Sequence, residues 1–443
     1  MRPSRSTPST GRSTSRRDRG RRADVYLLPA VVGGGLGDIE EVLAAGRRLA
    51  AAGSPVFLYR RPGRPLPRSV DGPWAWPPLV RTARLRPRNA TALTISPAWG
   101  ISAAPTRPGA FGRGGPWAEE AADIEGAYGV DRTVHVSLEE FARTAPMARE
   151  ARERFREGGV PSRAIPARMR AAERAGENAT FRRAFRRFRA FERPTVLHLF
   201  ATLRPDRAFA REFPEAVQTG PLWPRAYRGA PRRGAGRRRL REWVWYASPA
   251  SAETIAPAVV DGLARARPPV RLYIRSPRPW TYRVPDGRGA VDPVARPPAA
   301  WRRRFAAAEL RIVTGSRSLL EAIEVGGPFL YFNGTLADGP RRRRHRPEKI
   351  VAVLAAARAA GVGRAVRRDL ADFARGRRVA DVVRRAARGG PGWQRLGARL
   401  RPRGFAPPYD DAGALLVAVA RALARAGGRS PALVARVRGR SSF

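Results

Sequence analysis

The sequence predicts an α/β protein of two domains, each a parallel sheet covered by helices, with the sheets facing across a cleft. Three observations lead there. The chain has 443 residues, and domains typically run to roughly 100–200 residues each. Short apolar runs alternate with amphipathic helical stretches, the pattern of a parallel sheet buried on both faces. A Pro-, Gly- and Arg-rich stretch, residues 223–240, separates two such series. The expected organisation is a basic tail over 1–22, a first domain over 23–222, the linker over 223–240, a second domain over 241–426 and a tail over 427–443.

In the first domain Val25–Val32 reads as a buried strand. Gly33-Gly34-Gly35-Leu36-Gly37 breaks it, and Asp38 caps a helix over Ile39–Ala52. Gly53-Ser54-Pro55 ends that helix, and Val56–Tyr59 is the next strand. Strand, Gly-rich turn, helix and strand make a Rossmann-like opening. Ala92–Ser96, Thr195–Phe200 and Ala216–Gly220 read as further strands, and Ala118–Tyr128 and Leu138–Arg154 as helices. Over Ala167–Arg193 the residues Phe181, Phe185, Phe188 and Phe191 share one helical face with arginines around them. That stripe is either core-facing or a basic-aromatic surface.

The second domain repeats the alternation. Strands are expected at Trp243–Ala247, Val270–Arg275, Leu310–Thr314 and Pro328–Phe332. Helices are expected at Thr254–Ala266, Pro298–Ala308, Ser318–Val325, Pro347–Ala360, Asp369–Arg388 and Asp411–Ala426. Both domains are therefore Rossmann-like.

Composition limits the chemistry. There is no cysteine, which removes disulfides, thiolate metal sites and a cysteine nucleophile. The three histidines, His135, His198 and His345, show no metal-ligand spacing. The chain carries 86 Lys+Arg against 37 Asp+Glu, a formal net charge of +49. Lys349 is its only lysine, so this charge is almost wholly arginine. Such a surface attracts nucleic acid non-specifically, anionic membranes and phosphorylated substrates; coding bias is the plainer explanation of it. No run of about 18 apolar residues is present, as a membrane span would need, and the first 22 residues lack the apolar middle of a secretory signal. The expected location is cytoplasmic, with peripheral contact to a membrane.

Four loops at expected strand ends carry candidate chemistry. Gly33–Asp38 brings backbone close to a ligand ahead of a helix N-terminus, but its glycines do not have dinucleotide-fingerprint spacing. Ser248, Ser251 and Thr254 surround a strand-to-helix turn and either bind phosphate or cap the helix. Thr314-Gly315-Ser316-Arg317-Ser318 places hydroxyls and one cation at a helix start, which suits a diphosphate. Ser318 with Glu321 also has capping-box spacing. Asn333–Lys349 contains Arg341-Arg342-Arg343-Arg344-His345-Arg346, a solvated loop or an anion site.

The segment Ala308-Glu309-Leu310-Arg311-Ile312-Val313-Thr314-Gly315-Ser316-Arg317-Ser318-Leu319-Leu320-Glu321-Ala322, continuing to Gly326-Gly327-Pro328-Phe329-Leu330, resembles the donor-binding segment of GT-B fold glycosyltransferases. It is nearest the branch that contains the peptidoglycan N-acetylglucosaminyltransferase and the UDP-glycosyltransferases. Thr219-Gly220-Pro221 resembles the passage between domains in such enzymes. The resemblance implies a nucleotide-sugar donor as co-substrate with no further cofactor, and an inverting transfer without an essential metal. It implies that Glu321 binds the ribose hydroxyls, that Thr314, Gly315, Ser316, Arg317 and Ser318 hold the diphosphate, and that Ser251 supplies a further hydroxyl. Val313 stands where the retaining branch keeps a second acid. An inverting enzyme needs a general base, for which Asp38 and His135 are the candidates, with His198, inside an apolar strand, behind them. The acceptor is expected to be lipid-linked or otherwise anionic. The alternatives are a polyanion-binding protein, or a sugar-nucleotide epimerase, on the same fold.

Overall fold

A computed structural model describes residues 22–28, 37–59, 80–82, 84–85, 87–97, 116–140, 195–205, 207, 216–223, 241–247, 249–275, 291–293, 298–332, 348–400, 405 and 411–439. The Gly33–Leu36 turn, the phenylalanine stripe, nearly all of the linker and the Arg341–Arg346 run lie outside the described residues.

Two sheets form, and every strand pair is parallel. The first comprises β1 (Asp24–Leu27), β2 (Val56–Tyr59), β3 (Val80–Thr82), β4 (Ala92–Pro97), β5 (Thr133–Glu140), β6 (Val196–Ala201) and β7 (Ala216–Thr219), in the order β3-β2-β1-β4-β5-β6-β7. The second comprises β8 (Arg241–Tyr246), β9 (Val270–Arg275), β10 (Val291–Pro293), β11 (Leu310–Val313) and β12 (Phe329–Tyr331), in the order β10-β9-β8-β11-β12. In each sheet the winding reverses once, between β1 and β4 and between β8 and β11. In doubly wound sheets ligands bind outside the strand C-termini at that reversal.

Helices cover both sheets. In the first body these are α1 (Gly37–Ala51) and α2 (Pro116–Tyr128). In the second they are α3 (Pro249–Ala264), α4 (Pro298–Ala307), α5 (Ser316–Val325), α6 (Glu348–Ala359), α7 (Arg364–Ala374), α8 (Val379–Arg388) and the short α9 (Pro391–Gln394) and α10 (Leu396–Arg399). The second core joins Trp243, Trp245, Ile312 and Leu330 of the sheet to Leu263, Phe305, Leu320 and Phe373 of the helices. Helices α3 and α8 approach so closely that a Cβ on Gly262 would sit 2.7 Å from the Ala380 carbonyl oxygen, so a side chain there would push the helices apart.

Three expectations need correction. The helix expected over Leu138–Arg154 begins inside β5, whose first four residues, Thr133-Val134-His135-Val136, include three β-branched ones that favour a strand; residues 141–154 lie outside the described residues. The helix expected over Asp369–Arg388 is two helices; the chain turns at Gly376, φ +67°, and Arg378, φ 50°, both in the left-handed region that stops a helix. The last correction concerns the C-terminus. Helix α11 (Ala412–Ala426) does not close the second domain. Leu415, Leu416, Val419 and Leu423 bury themselves with Val25, Leu43, Leu93 and Leu197 of the first body. Asp411 caps α11 through the amides of Gly413 and Ala414 and accepts a 2.5 Å ion pair from Arg48 of α1. Beyond it the expected tail is helix α12 (Ser430–Gly439), which buries Leu433, Val434 and Val437 in the same core. Each fully buried Leu or Val contributes about 1.5–3 kcal/mol by leaving water, which outweighs the cost of crossing back.

Among the described residues no helix is long and apolar enough to cross a membrane.

Candidate functional site at the second sheet's reversal

Strands β8 and β11 lie side by side, and each is followed directly by a helix. The crevice between their C-terminal ends is closed at the bottom by Thr314, whose hydroxyl donates to the Tyr246 carbonyl at 3.0 Å. This bond ties the two strand ends across the reversal.

Gly315 is the N-cap of α5, and Ser318 is its third helical residue. The Ser318 hydroxyl accepts from the Gly315 N–H at 3.1 Å and donates to the Gly315 carbonyl at 3.1 Å. Ser318 is therefore not the N-cap, and the expected Ser318–Glu321 capping box does not form. Two results follow. Ser318 and Thr314, both expected on a diphosphate, hold the turn itself together. Glu321, relieved of any capping duty, lies one turn further along α5. The first-turn amides of Ser316, Arg317 and Ser318 have no acceptor within the helix, which leaves an anion-favouring end. Ser316 stands at the helix start and Ser251 in the first turn of α3.

Charges from both bodies meet here. Glu321 is only part-exposed, and burial raises its pKa to about 7. Arg317 opposes that shift, while the Glu40 carboxylate on α1 adds to it. Glu40 also acts on Tyr246, whose pKa burial has already raised, and on Arg275. The Arg275 guanidinium lies 5.9 Å from the Tyr246 ring centre and 5.8 Å from that of Trp301. Arg47, two turns beyond Glu40 on α1, is pushed down to about 10 by burial and by the cations Arg302 and Arg317. Arg317 also donates 3.1 Å to the Leu222 carbonyl, just after β7. The crevice thus gathers Arg47, Arg275, Arg302 and Arg317 around Glu40 and Glu321, with α1 of the first body packed on α5 of the second.

Of the residues gathered in the crevice, the sequence singles out Arg317 and Glu321 but not Glu40, Arg47, Tyr246, Arg275 or Arg302. The only sequence signal for the pair on α1 was their seven-residue spacing, which puts Glu40 and Arg47 on one helical face.

The two candidate bases do not share one setting. Asp38 stands in the first turn of α1, the first-body helix that reaches the crevice. His135 sits in the first half of β5, 3% exposed, between the sheet and α2. One ring nitrogen is 2.7 Å from the Thr94 hydroxyl and the other 2.8 Å from the Glu125 carboxylate. Both nitrogens are engaged, and strand ends of the binding side lie at the far end of β5.

No family model matches the chain, and no curated protein matches it in sequence. Solved structures resemble it over most of its length. A glycosyltransferase of kitacinnamycin is 14% identical, with 95% of this chain and 100% of that chain covered and a TM-score of 0.45. Os79 from O. sativa in complex with UDP is 15% identical, with 95% and 100% covered and a TM-score of 0.47. The spinosyn rhamnosyltransferase SpnG complexed with thymidine diphosphate is 14% identical, with 91% and 99% covered and a TM-score of 0.41. The architecture rests on the strand order above, and these likenesses assign no residue a role.

Proposed function

We propose that this chain is a glycosyltransferase that takes its sugar from a nucleotide-sugar donor bound at the second sheet's reversal. The observation that carries the reading is the crowding of Arg47, Arg302 and Arg317 beside Glu321. Arg47 feels both other guanidinium groups, with Glu40 offsetting them in part, and a diphosphate at the α5 N-terminus would add two negative charges among them. The Glu321 carboxylate can accept from both hydroxyls of a ribose. Arg275 and Tyr246 form the neighbouring wall.

The reaction in this reading needs no resident metal, because the cations replace one in stabilising the leaving group. The acceptor's oxygen attacks the anomeric carbon as a base takes its proton. The bond from that carbon to the diphosphate oxygen breaks, and its electron pair leaves with the nucleoside diphosphate. Attack opposite the leaving group inverts the anomeric centre. Asp38, on the helix that reaches the crevice, is the base in this reading. His135 is a framework residue.

Release of nucleoside diphosphate from a panel of nucleotide sugars tests the proposal, with Asp38→Asn and His135→Asn beside the wild type. The expected result is release from one donor, lowered at least about a hundredfold by Asp38→Asn. His135→Asn should lower the melting temperature and spare kcat. Release from no donor, with none bound, would overturn the reading. A fall in kcat for His135→Asn alone would transfer the base to that residue.

A further inference from the structure

The C-terminal crossing creates a second basic feature, away from the crevice and independent of the function proposed for it. Helices α11 and α12 are joined by a short Gly427-Gly428-Arg429 turn and leave an open groove of about 600 Å³ between them. Arg425, Arg429 and Arg436 line it, and Ala422, Ala426, Ala432 and Leu433 form its apolar surface. The spacings 422, 425, 426 on α11 and 432, 433, 436 on α12 each describe one helical face, and these faces line the same groove with Arg429 of the turn between them. All three arginines are exposed.

A second observation adjoins the groove. The 3-10 turn Val130–Arg132 packs against α12. Arg132 lies against the Gly427-Gly428 turn, since a Cβ on Gly428 would meet its side chain at 3.3 Å. Val130 is 52% exposed, and it is the single exposed large apolar side chain among the described residues. Four arginines, one exposed acid, Asp131, and one apolar tip therefore share a surface.

We propose that this groove and the Val130 turn form a docking face for an anionic membrane surface. Guanidinium groups would hold lipid phosphates, the alanine and leucine floor would take the glycerol region, and Val130 would enter the headgroup layer. Charge complementarity selects an anionic partner. A nucleic acid is the less suitable one, because single-stranded binding also uses exposed aromatic platforms, and no exposed aromatic side chain occurs among the described residues.

The net charge of +49 would attract any polyanion, so the test compares location with charge. The full chain is floated with vesicles of phosphatidylcholine, with and without an equal part of phosphatidylglycerol. One variant is Arg425→Ala/Arg429→Ala/Arg436→Ala. Its control, Arg364→Ala/Arg368→Ala/Arg377→Ala, removes the same charge from exposed sites on the second body. Val130→Asp is a third. A cation near an anionic surface contributes about fivefold to binding, so the groove variant should lose roughly a hundredfold and the control little. Val130→Asp should also weaken flotation, and free inorganic phosphate should not displace the protein. Equal losses in groove and control variants, or equal flotation on neutral vesicles, would overturn the proposal. So would a groove variant that loses binding to a single-stranded oligonucleotide but keeps it to vesicles. Displacement by phosphate would instead make the groove a site for a small anion.

Discussion

The two sheets share a strand order and differ in what their polar residues do. In the first, Asp24 is fully buried at the start of β1. It accepts from the amides of Arg88 and Asn89 at 2.8 and 3.0 Å, from the Asn89 side chain at 2.6 Å and from the Tyr128 hydroxyl at 2.6 Å. Tyr26 joins through Tyr128 at 2.6 Å and stacks on Phe57. The Asp24 carboxylate thus has its donors, and the network lies at strand N-termini. In the second sheet the charges gather at strand C-termini, and like charges crowd. A satisfied buried network fixes a fold. A crowded one holds free energy that a ligand can release. The contrast teaches where to look for function in a fold that repeats itself.

The largest expected effect breaks the first network. Asp24→Ala strands four donors and should cost about 3–5 kcal/mol of stability, read by denaturant unfolding. Nucleotide-sugar affinity of the folded fraction should be unchanged. Glu321→Ala should do the opposite. In the proposed donor site it would remove two charge-assisted hydrogen bonds to the ribose, and it should weaken donor binding by about 3 kcal/mol, read by calorimetry.

Glu321→Gln sharpens the comparison through pH. The folded-state pKa of about 7 lies above the ordinary 4.5. Folding therefore favours the protonated form. Stability is full below pH 4.5 and is lost as pH rises through about 7. The glutamine variant escapes that loss. Discounted for the partial exposure of the site, it should be about 1–2 kcal/mol more stable than wild type at pH 8 and equal to it at pH 4. A variant less stable than wild type at pH 8 would mean that the carboxylate supports the fold. The smallest effect belongs to Thr314→Val, which removes the tie between β11 and β8 and should lower stability by about 1 kcal/mol.

Much of this was legible in the sequence, but unevenly. Strands buried on both faces, such as Val56–Tyr59, announce themselves by continuous apolar runs. Glu321 was legible because the segment around it has a recognisable pattern. The edge strands Val80–Thr82 and Val291–Pro293 are three residues long and lie in Pro-rich stretches, where no period can be read. Nothing local tells α11 which domain to join, since an apolar stripe fits either core and only tertiary packing decides. The cap of α5 was misplaced because Gly315 and Ser318 exchange the roles that residue preference assigns them. The contribution of α1 to the crevice depends on contacts between domains, which local spacing does not encode.

The most direct measurement is calorimetric titration of wild type and Glu321→Gln with the preferred nucleotide sugar between pH 5 and pH 9. The donor's phosphates do not titrate in that range, so Glu321 is the group expected to respond. Wild-type affinity should rise with pH through about 7, as the carboxylate gains its charge, and the glutamine variant should bind weakly with no such rise. Equal affinity in the two proteins at every pH would contradict the assignment of the crevice as the donor site.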